Sequence, residues 1–329
     1  MINLLDITPH QVSRDMRGYI VFFYGEPKSG KTTTATKFPR HLILAFEKGF
    51  NAIPGAMAQP INSWSEFKMT LRQLKDENVK NTYETVIVDT ADIAYSYCEK
   101  YICANNGVDT IADIPYGKGY NLVANEFDEC LRQIVQLNYG LILISHATDK
   151  TFTDEQGQQY NRIVPTLDKR ANNVVARMAD IIGYSRPITN EDGSTTTKLF
   201  MRGTNRFEAG SRFKYTPDFI DFTYKDLVNA IGDAIDKQAA EDGKEYFTDK
   251  RDNNYKDTSK ELDFDDLMGA FTSIIKRIPE DRMEYYAPRI TEITDRYLGK
   301  GKKVANITRD QTEQLSLIVY DLEELLGDD

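Results

Sequence analysis

An eight-residue stretch, Gly25-Glu26-Pro27-Lys28-Ser29-Gly30-Lys31-Thr32, lies between the apolar run Tyr19 to Tyr24 and the segment Thr33 to Thr36. It satisfies the pattern G-x-x-x-x-G-K-[ST] at each fixed position. The apolar run predicts a buried strand and the following residues predict the start of a helix, so the chain passes from one to the other within a short glycine-containing loop. Such a loop turns backbone N–H groups inward on phosphate oxygens, carries Lys31 to the β and γ phosphates and offers the Thr32 hydroxyl to Mg²⁺. The helix start adds a positive end to the same cradle. Residues Gly25 to Thr33 are therefore the expected nucleotide-binding segment.

Downstream, strands alternate with amphipathic helices, the pattern of an α/β fold with a mostly parallel sheet. His41 to Phe46 reads as a strand ended by Glu47, and Ser63-Trp64-Ser65-Glu66 opens a helix with Trp64, Phe67, Leu71 and Leu74 on one face. Thr85-Val86-Ile87-Val88-Asp89 reads as a buried strand tipped by an acid. Helices are expected over Asp92 to Tyr101 and Leu122 to Leu137, about a loop from Asn105 to Tyr120, and Gly140 to Ser145 is a strand ending in His146. An acid at a strand end about sixty residues after a phosphate loop is the usual partner of the loop hydroxyl, so Thr32 and Asp89 are the expected metal positions. Thr90, not glutamate, follows Asp89, and the water-activating carboxylate has to come from elsewhere. Glu47 is the candidate, on the expectation that its strand lies beside the phosphate-loop strand.

Leu42-Ile43-Leu44-Ala45-Phe46-Glu47 resembles the strand that carries the catalytic glutamate in RecA-like and KaiC-like ATPases. The runs Tyr83 to Thr90 and Tyr116-Gly117-Lys118-Gly119-Tyr120, with the strand ending Ser145-His146, are similar to bacteriophage RecA-like ATP-binding proteins. Those include AAA-type ATPases and single-strand annealing or recombination proteins. The resemblance implies a RecA-like core that binds ATP and Mg²⁺, hydrolyses the β–γ bond, assembles as a ring or filament of identical subunits and binds single-stranded DNA in phage recombination, annealing or replication. Lys31 and His146 then join Glu47 as catalytic residues, His146 standing where RecA has a glutamine that senses the γ-phosphate. Asn105 to Tyr120 and Thr148 to Arg170 take the places of two DNA-holding loops, which makes Tyr116, Lys118, Lys150, Phe152, Tyr160, Arg162, Lys169 and Arg170 the implied DNA contacts. The turn signal Asp154-Glu155-Gln156-Gly157 leaves open a plain hairpin in the second of these, and Asn190-Glu191-Asp192-Gly193 predicts another hairpin. Arg202, Arg206 or Arg212 is implied to reach a neighbouring subunit's nucleotide.

The net charge of −10 is uneven: residues 241 to 329 hold 22 acidic and 14 basic residues, a net of −8, leaving −2 for residues 1 to 240. Between Thr197 and Lys214 the balance reverses, with Lys198, Arg202, Arg206, Arg212 and Lys214 against Glu208, a basic stripe suited to phosphates. Cys98, Cys103 and Cys130 are too few for a disulfide framework and read as free buried thiols. The first residues lack the pattern of a signal peptide and no eighteen apolar residues run together, so the expected location is the cytoplasm, that of the host bacterium for a phage protein, with no membrane partner. The expected organisation is a core over 1–236, a polar linker over 237–260 and a helical module over 261–329 that docks a single-strand-binding or other replication protein. Two other functions stay open on sequence: a nucleotide-gated scaffold with little hydrolysis, and a small-molecule phosphotransferase.

Overall fold

Strands that are apolar at consecutive positions have two faces to bury, and here each face of the sheet carries its own helical layer. The computed structural model describes residues 7–251 and 263–327, which fall in two units, Met1–Lys256 and Asp257–Asp329. The first unit runs β1 (Val12–Ser13), β2 (Ile20–Gly25), α1 (Lys31–Ala35), β3 (His41–Ala45), β4 (Ala58–Pro60), α2 (Trp64–Gln73), α3 (Glu77–Thr82), β5 (Thr85–Asp89) and α4 (Ala91–Asn106). It continues through α5 (Lys118–Gln136), β6 (Gly140–Thr153), β7 (Gln159–Pro165), α6 (Lys169–Met178), β8 (Ile181–Thr189), β9 (Thr195–Phe200), β10 (Gly210–Ser211), β11 (Phe219–Asp221), α7 (Tyr224–Asp242) and β12 (Phe247–Thr248).

The main sheet has the order β11-β9-β8-β2-β6-β5-β3-β4, with β10 on β8 and β7 on β6. From β8 to β4 all pairs are parallel, while β9, β10, β11 and β7 pair antiparallel. Successive side chains point to opposite faces. Phe22, Tyr24, Leu44, Val88 and Leu143 therefore enter one core with Trp64, Phe67, Tyr95, Phe127 and Val175 of the helices. Val21, Phe23, Ile43, Ile87 and Ile144 enter the other, against Leu227, Ile231 and Ile235 of α7. Ser63 caps α2 by accepting the Glu66 N–H, and Cys98, Cys103 and Cys130 are buried free thiols. α1 is short because Pro39 disfavours helical backbone at Phe38.

Four expectations are corrected. The strand after the phosphate loop, β3, pairs with β5 and β4 and lies three places from β2, because β5 and β6 insert between them. His146 does not end its strand: β6 runs on to Thr153 and folds back through β7, so the span 148–165 is a ribbon rather than a loop. The expected linker begins inside α7, which runs to Asp242 with Ala239 buried, and β12 then pairs in parallel with β1. Of that linker, residues 252–260 lie outside the described residues. The basic stripe is largely neutralised within the chain, Lys198 by Asp221, Arg212 by Asp180 and Lys214 by Glu241.

In the second unit α8 (Phe264–Arg277), α9 (Met283–Leu298) and α10 (Thr312–Gly327) enclose a small core of Ile274, Ile293, Leu298, Leu315, Ile318 and Leu322. Ile278 is extended before Pro279, which stops α8, and Thr308 with Gln311 forms a capping box before α10. Among the described residues no helix is long and apolar enough to cross a membrane.

Candidate nucleotide site

The phosphate-loop motif occupies the turn between β2 and α1, at the end of the sheet where β2, β3 and β5 finish. Its two glycines serve different purposes. A Cβ on Gly25 would sit 2.1 Å from Ser185 Oγ and 2.3 Å from Ser185 O, so β2 and β8 can approach there only with glycine. Gly30 has φ +86°, left-handed backbone that a side chain would strain, and Lys28 tolerates φ 63° beside it. Ser29 reaches Ser185, Oγ to Oγ 2.7 Å, which ties the loop to β8. Glu26, Pro27, Lys28 and Thr33 are exposed around the loop. Lys31 is buried and its Nζ donates to Gly25 O at 3.0 Å and Glu26 O at 2.7 Å. Burial pushes its ammonium from 10.5 down to about 8, against the pull of Asp89, Glu47, Asp92 and Glu26.

Thr32 Oγ1 donates to Asp89 Oδ2 at 2.8 Å, while Asp89 Oδ1 is buried with no hydrogen-bond partner. The Asp89–Thr90 peptide is cis. Gly49 keeps the adjoining space open: a Cβ there would lie 3.2 Å from Asp89 Oδ2, 3.5 Å from Thr32 Oγ1 and 3.6 Å from Glu47 Oε1. A hydroxyl and carboxylates around one gap are hard oxygen donors, the type that Mg²⁺ takes. Among the described residues no group of three or more His, Cys, Asp or Glu is placed to hold a metal by itself, so such an ion would share its coordination with phosphate and water.

Burial pushes the Asp89 carboxyl from 3.8 up to about 6, Glu47 adding to the rise while the Thr32 hydrogen bond, Lys31 and His146 oppose it. The folded state thus holds this proton more tightly than the unfolded state. Asp89 contributes stability below pH 3.8 that is lost as pH rises through about 6. We expect Asp89→Asn, which cannot ionise, to stabilise the nucleotide-free protein at pH 8 by on the order of 3 kcal/mol, a gain that shrinks toward pH 4. Urea unfolding at the two pH values checks it, and a gain of equal size at both would refute the assigned cause.

Glu47 Oε2 lies 3.7 Å from His146 Nε2, a charge contact too long for a hydrogen bond. His146 holds the Glu47 carboxyl below its ordinary range against burial, and Glu47 raises the imidazole in turn. His146 is the residue of β6 opposite Gly25, so it sits beside the phosphate loop although its strand continues. Asp92, in the first turn of α4, joins the site unannounced by any motif, its Oδ1 accepting from Ser145 Oγ at 3.1 Å and Thr166 Oγ1 at 2.6 Å. Its only sequence signal is an acid three residues beyond Asp89. Ser185 and Gly49 were equally silent, being brought in by pairing and by close approach.

The implied DNA contacts fall in two places near this end of the sheet. Lys150 pairs across the ribbon with Arg162, and Phe152 with Tyr160, so all four share one face. The two rings stack with centroids 6.0 Å apart, and the Arg162 guanidinium lies 6.0 Å from the Phe152 centroid. Beside them Lys169 and Arg170 open α6 after its cap Asp168, and Arg170 lies 4.2 Å over the Tyr120 ring. Tyr116, 96 % exposed at φ 59°, and Lys118 precede that ring at the start of α5. Of the three arginines considered for a neighbouring site, Arg202 donates to Thr216 O and Lys214 O, and Arg212 pairs with Asp180 near the start of β2. Arg206 is exposed, and among the described residues its hydrogen bonds are those of its backbone, which accepts from Ile163 N and donates to Thr204 Oγ1.

A phosphate loop between strand and helix, facing an acid at the end of a neighbouring parallel strand on an α/β sheet, defines the class of P-loop nucleoside-triphosphate-binding proteins. The chain belongs to the AAA domain family, whose model matches residues 17–213. It is 33% identical over 336 residues to the SPbeta prophage-derived uncharacterized protein YorG of Bacillus subtilis (strain 168), a match spanning 98% of this chain and 99% of that protein. The flagellar accessory protein FlaH from Methanocaldococcus jannaschii is also similar, at 9% identity and a TM-score of 0.32, over 56% of this chain and 77% of that one.

Proposed function

We propose that this chain is a phage-derived, RecA-like Mg²⁺-dependent ATPase whose turnover is coupled to single-stranded DNA. One observation carries the catalytic half: Thr32, Asp89 and Glu47, from three separate elements, surround the gap that Gly49 leaves, with Lys31 near enough to feel both carboxylates. Thr32 and Asp89 would hold Mg²⁺, which when bound offsets charge on the β and γ phosphates. Lys31, released from its two loop carbonyls, turns its ammonium to the same oxygens. Glu47 accepts a proton from the water that attacks the γ-phosphorus; the bond from that phosphorus to the β–γ bridging oxygen breaks and ADP leaves. His146, across from Glu47, is suited to hold it in place.

The DNA half rests on the ribbon face. Two cations directly opposite each other repel, and a phosphate backbone would relieve that pair while bases stack on the rings two residues further out. The prophage origin of the full-length relative supports the phage setting. Arg206, exposed next to β7, is the arginine best placed to reach a second copy in a ring or filament. ADP release should require Mg²⁺ and rise on adding a single-stranded oligonucleotide. Turnover indifferent to DNA would remove the DNA half, and nucleotide binding with no turnover would replace the enzyme by a nucleotide-gated scaffold.

A further inference from the structure

At the opposite end of β2 from the phosphate loop lies a cavity of about 340 Å³, within the first unit. Its walls come from the start of β2, the ends of α5 and α6, and the residues just before β8. Four arginines line it, Arg132, Arg177, Arg212 and Arg251, and the only acid among the lining residues is Asp180. That acid is already committed twice, accepting from Ile20 N at 2.8 Å and pairing with Arg212 at 3.1 Å. Arg132 is paired with Asp128 at 2.9 Å. Among the described residues Arg177 and Arg251 donate only to carbonyl oxygens, Arg177 by Nε to Asn173 O and Arg251 by Nη2 to Arg17 O and Asn138 O, while Glu84 and Asp15 act on the Arg251 charge without pairing with it.

A cluster of net positive charge around one concavity is unexpected on a chain whose formal charge is −10, and it raises the local concentration of anions. The rest of the lining is mixed, with His10, Ser13, Gln136 and Asn138 beside Val135 and Met178. Tyr19 and Tyr139, whose hydroxyls donate to Ser13 O and Leu74 O, also line it, Tyr19 packed edge-on with Phe213 and Tyr139 buried in the core. Guanidinium groups recognise phosphate through paired N–H donors. The volume is at the lower end of small-molecule sites, about 300–1,000 Å³.

We infer that this cavity is a second anion site, built to take a small phosphate-bearing molecule of about nucleotide size. It is separate from the phosphate loop: Ile20 to Gly25 spans five strand steps, roughly 16 Å at ~3.3 Å each. Its occupant nevertheless touches the strand that carries the loop, since Ile20 lines the cavity and Gly25 ends the same strand.

The test is isothermal titration of the full chain carrying Lys31→Ala with inorganic pyrophosphate and with AMP, without Mg²⁺. Wild type saturated with Mg²⁺ and a non-hydrolysable ATP analogue gives the same measurement with the phosphate loop filled rather than disabled. Saturable binding is expected in both, weakened at least tenfold by Arg132→Gln with Arg177→Gln. Both arginines are exposed, and the melting temperature reports that the fold is retained. AMP tighter than pyrophosphate would show that the cavity also holds the nucleoside, and the reverse would assign the site to phosphate alone; either supports a second site. Absence of saturable binding in both proteins, or affinity unchanged by the double substitution, would overturn it.

Discussion

Glu47→Gln is expected to lower kcat for ATP hydrolysis by about 10²–10⁴-fold, the usual contribution of a positioned general base, while nucleotide affinity changes little. Gln keeps the size and hydrogen-bonding reach of the side chain and removes the proton-accepting charge. Glu47 is suited to the role because it is near the metal-binding oxygens without being consumed by them: Thr32 bonds to Asp89, while Glu47 faces His146. The same contact lowers the Glu47 carboxyl below its ordinary range against the opposing effect of burial. His146→Gln, which leaves the carboxylate in place, should cost less than Glu47→Gln and shift the acid limb of the pH–rate profile upward, because Glu47 loses the partner that holds its pKa down. Turnover in Glu47→Gln within a few-fold of wild type would sink the assignment and move it to Asp92, a further acid at this end of the sheet, whose Oδ2 is buried without a partner among the described residues.

That Glu47 arrives here at all shows what local sequence does and does not encode. The loop was legible because its glycines and lysine act through neighbours along the chain, and α2 because Ser63 and the Trp64–Phe67–Leu71 face repeat at helical spacing. Strand order is a long-range property. Nothing in His41–Ala45 distinguishes a neighbour of β2 from a strand three places away, and the expected adjacency failed. Glu47 still reaches the gap because the chain turns after β3, with Phe46 and Glu47 both donating their N–H to Asp89 O. The far half of β6 was only partly legible: the turn signal Asp154 to Gly157 left a hairpin open, but beyond Ala147 the strand leaves the core and pairs only with β7, so no apolar alternation marks its continuity with Gly140 to Ser145. The last turns of α7 were missed because alanine, at Ala239, fills the buried position where a large aliphatic would have signalled burial.

The ribbon formed by that unmarked half carries the second large effect. Phe152→Ala with Tyr160→Ala is expected to weaken single-stranded oligonucleotide binding by ~2–6 kcal/mol, at ~1–3 kcal/mol for each base stacked on a ring. In affinity this is roughly 30-fold to more than 10⁴-fold. The two rings also stack on each other, but a cross-strand pair contributes only about 0.2–1 kcal/mol to its hairpin, too little to account for such a loss through ribbon stability. Lys150→Gln separates the electrostatic part: a lost phosphate contact lowers the slope of log affinity against log salt by about 0.7 for a single strand and leaves the stacking loss unchanged. DNA-free ATP turnover should stay near wild type in all these variants, since none of the three residues touches Lys31, Thr32, Asp89 or Glu47. Oligonucleotide affinity within twofold of wild type in the double aromatic variant would make the ribbon a structural arm. The opposed Lys150 and Arg162 would then need an anionic partner other than DNA, because two like charges fixed across a ladder cost stability that the ribbon alone does not repay.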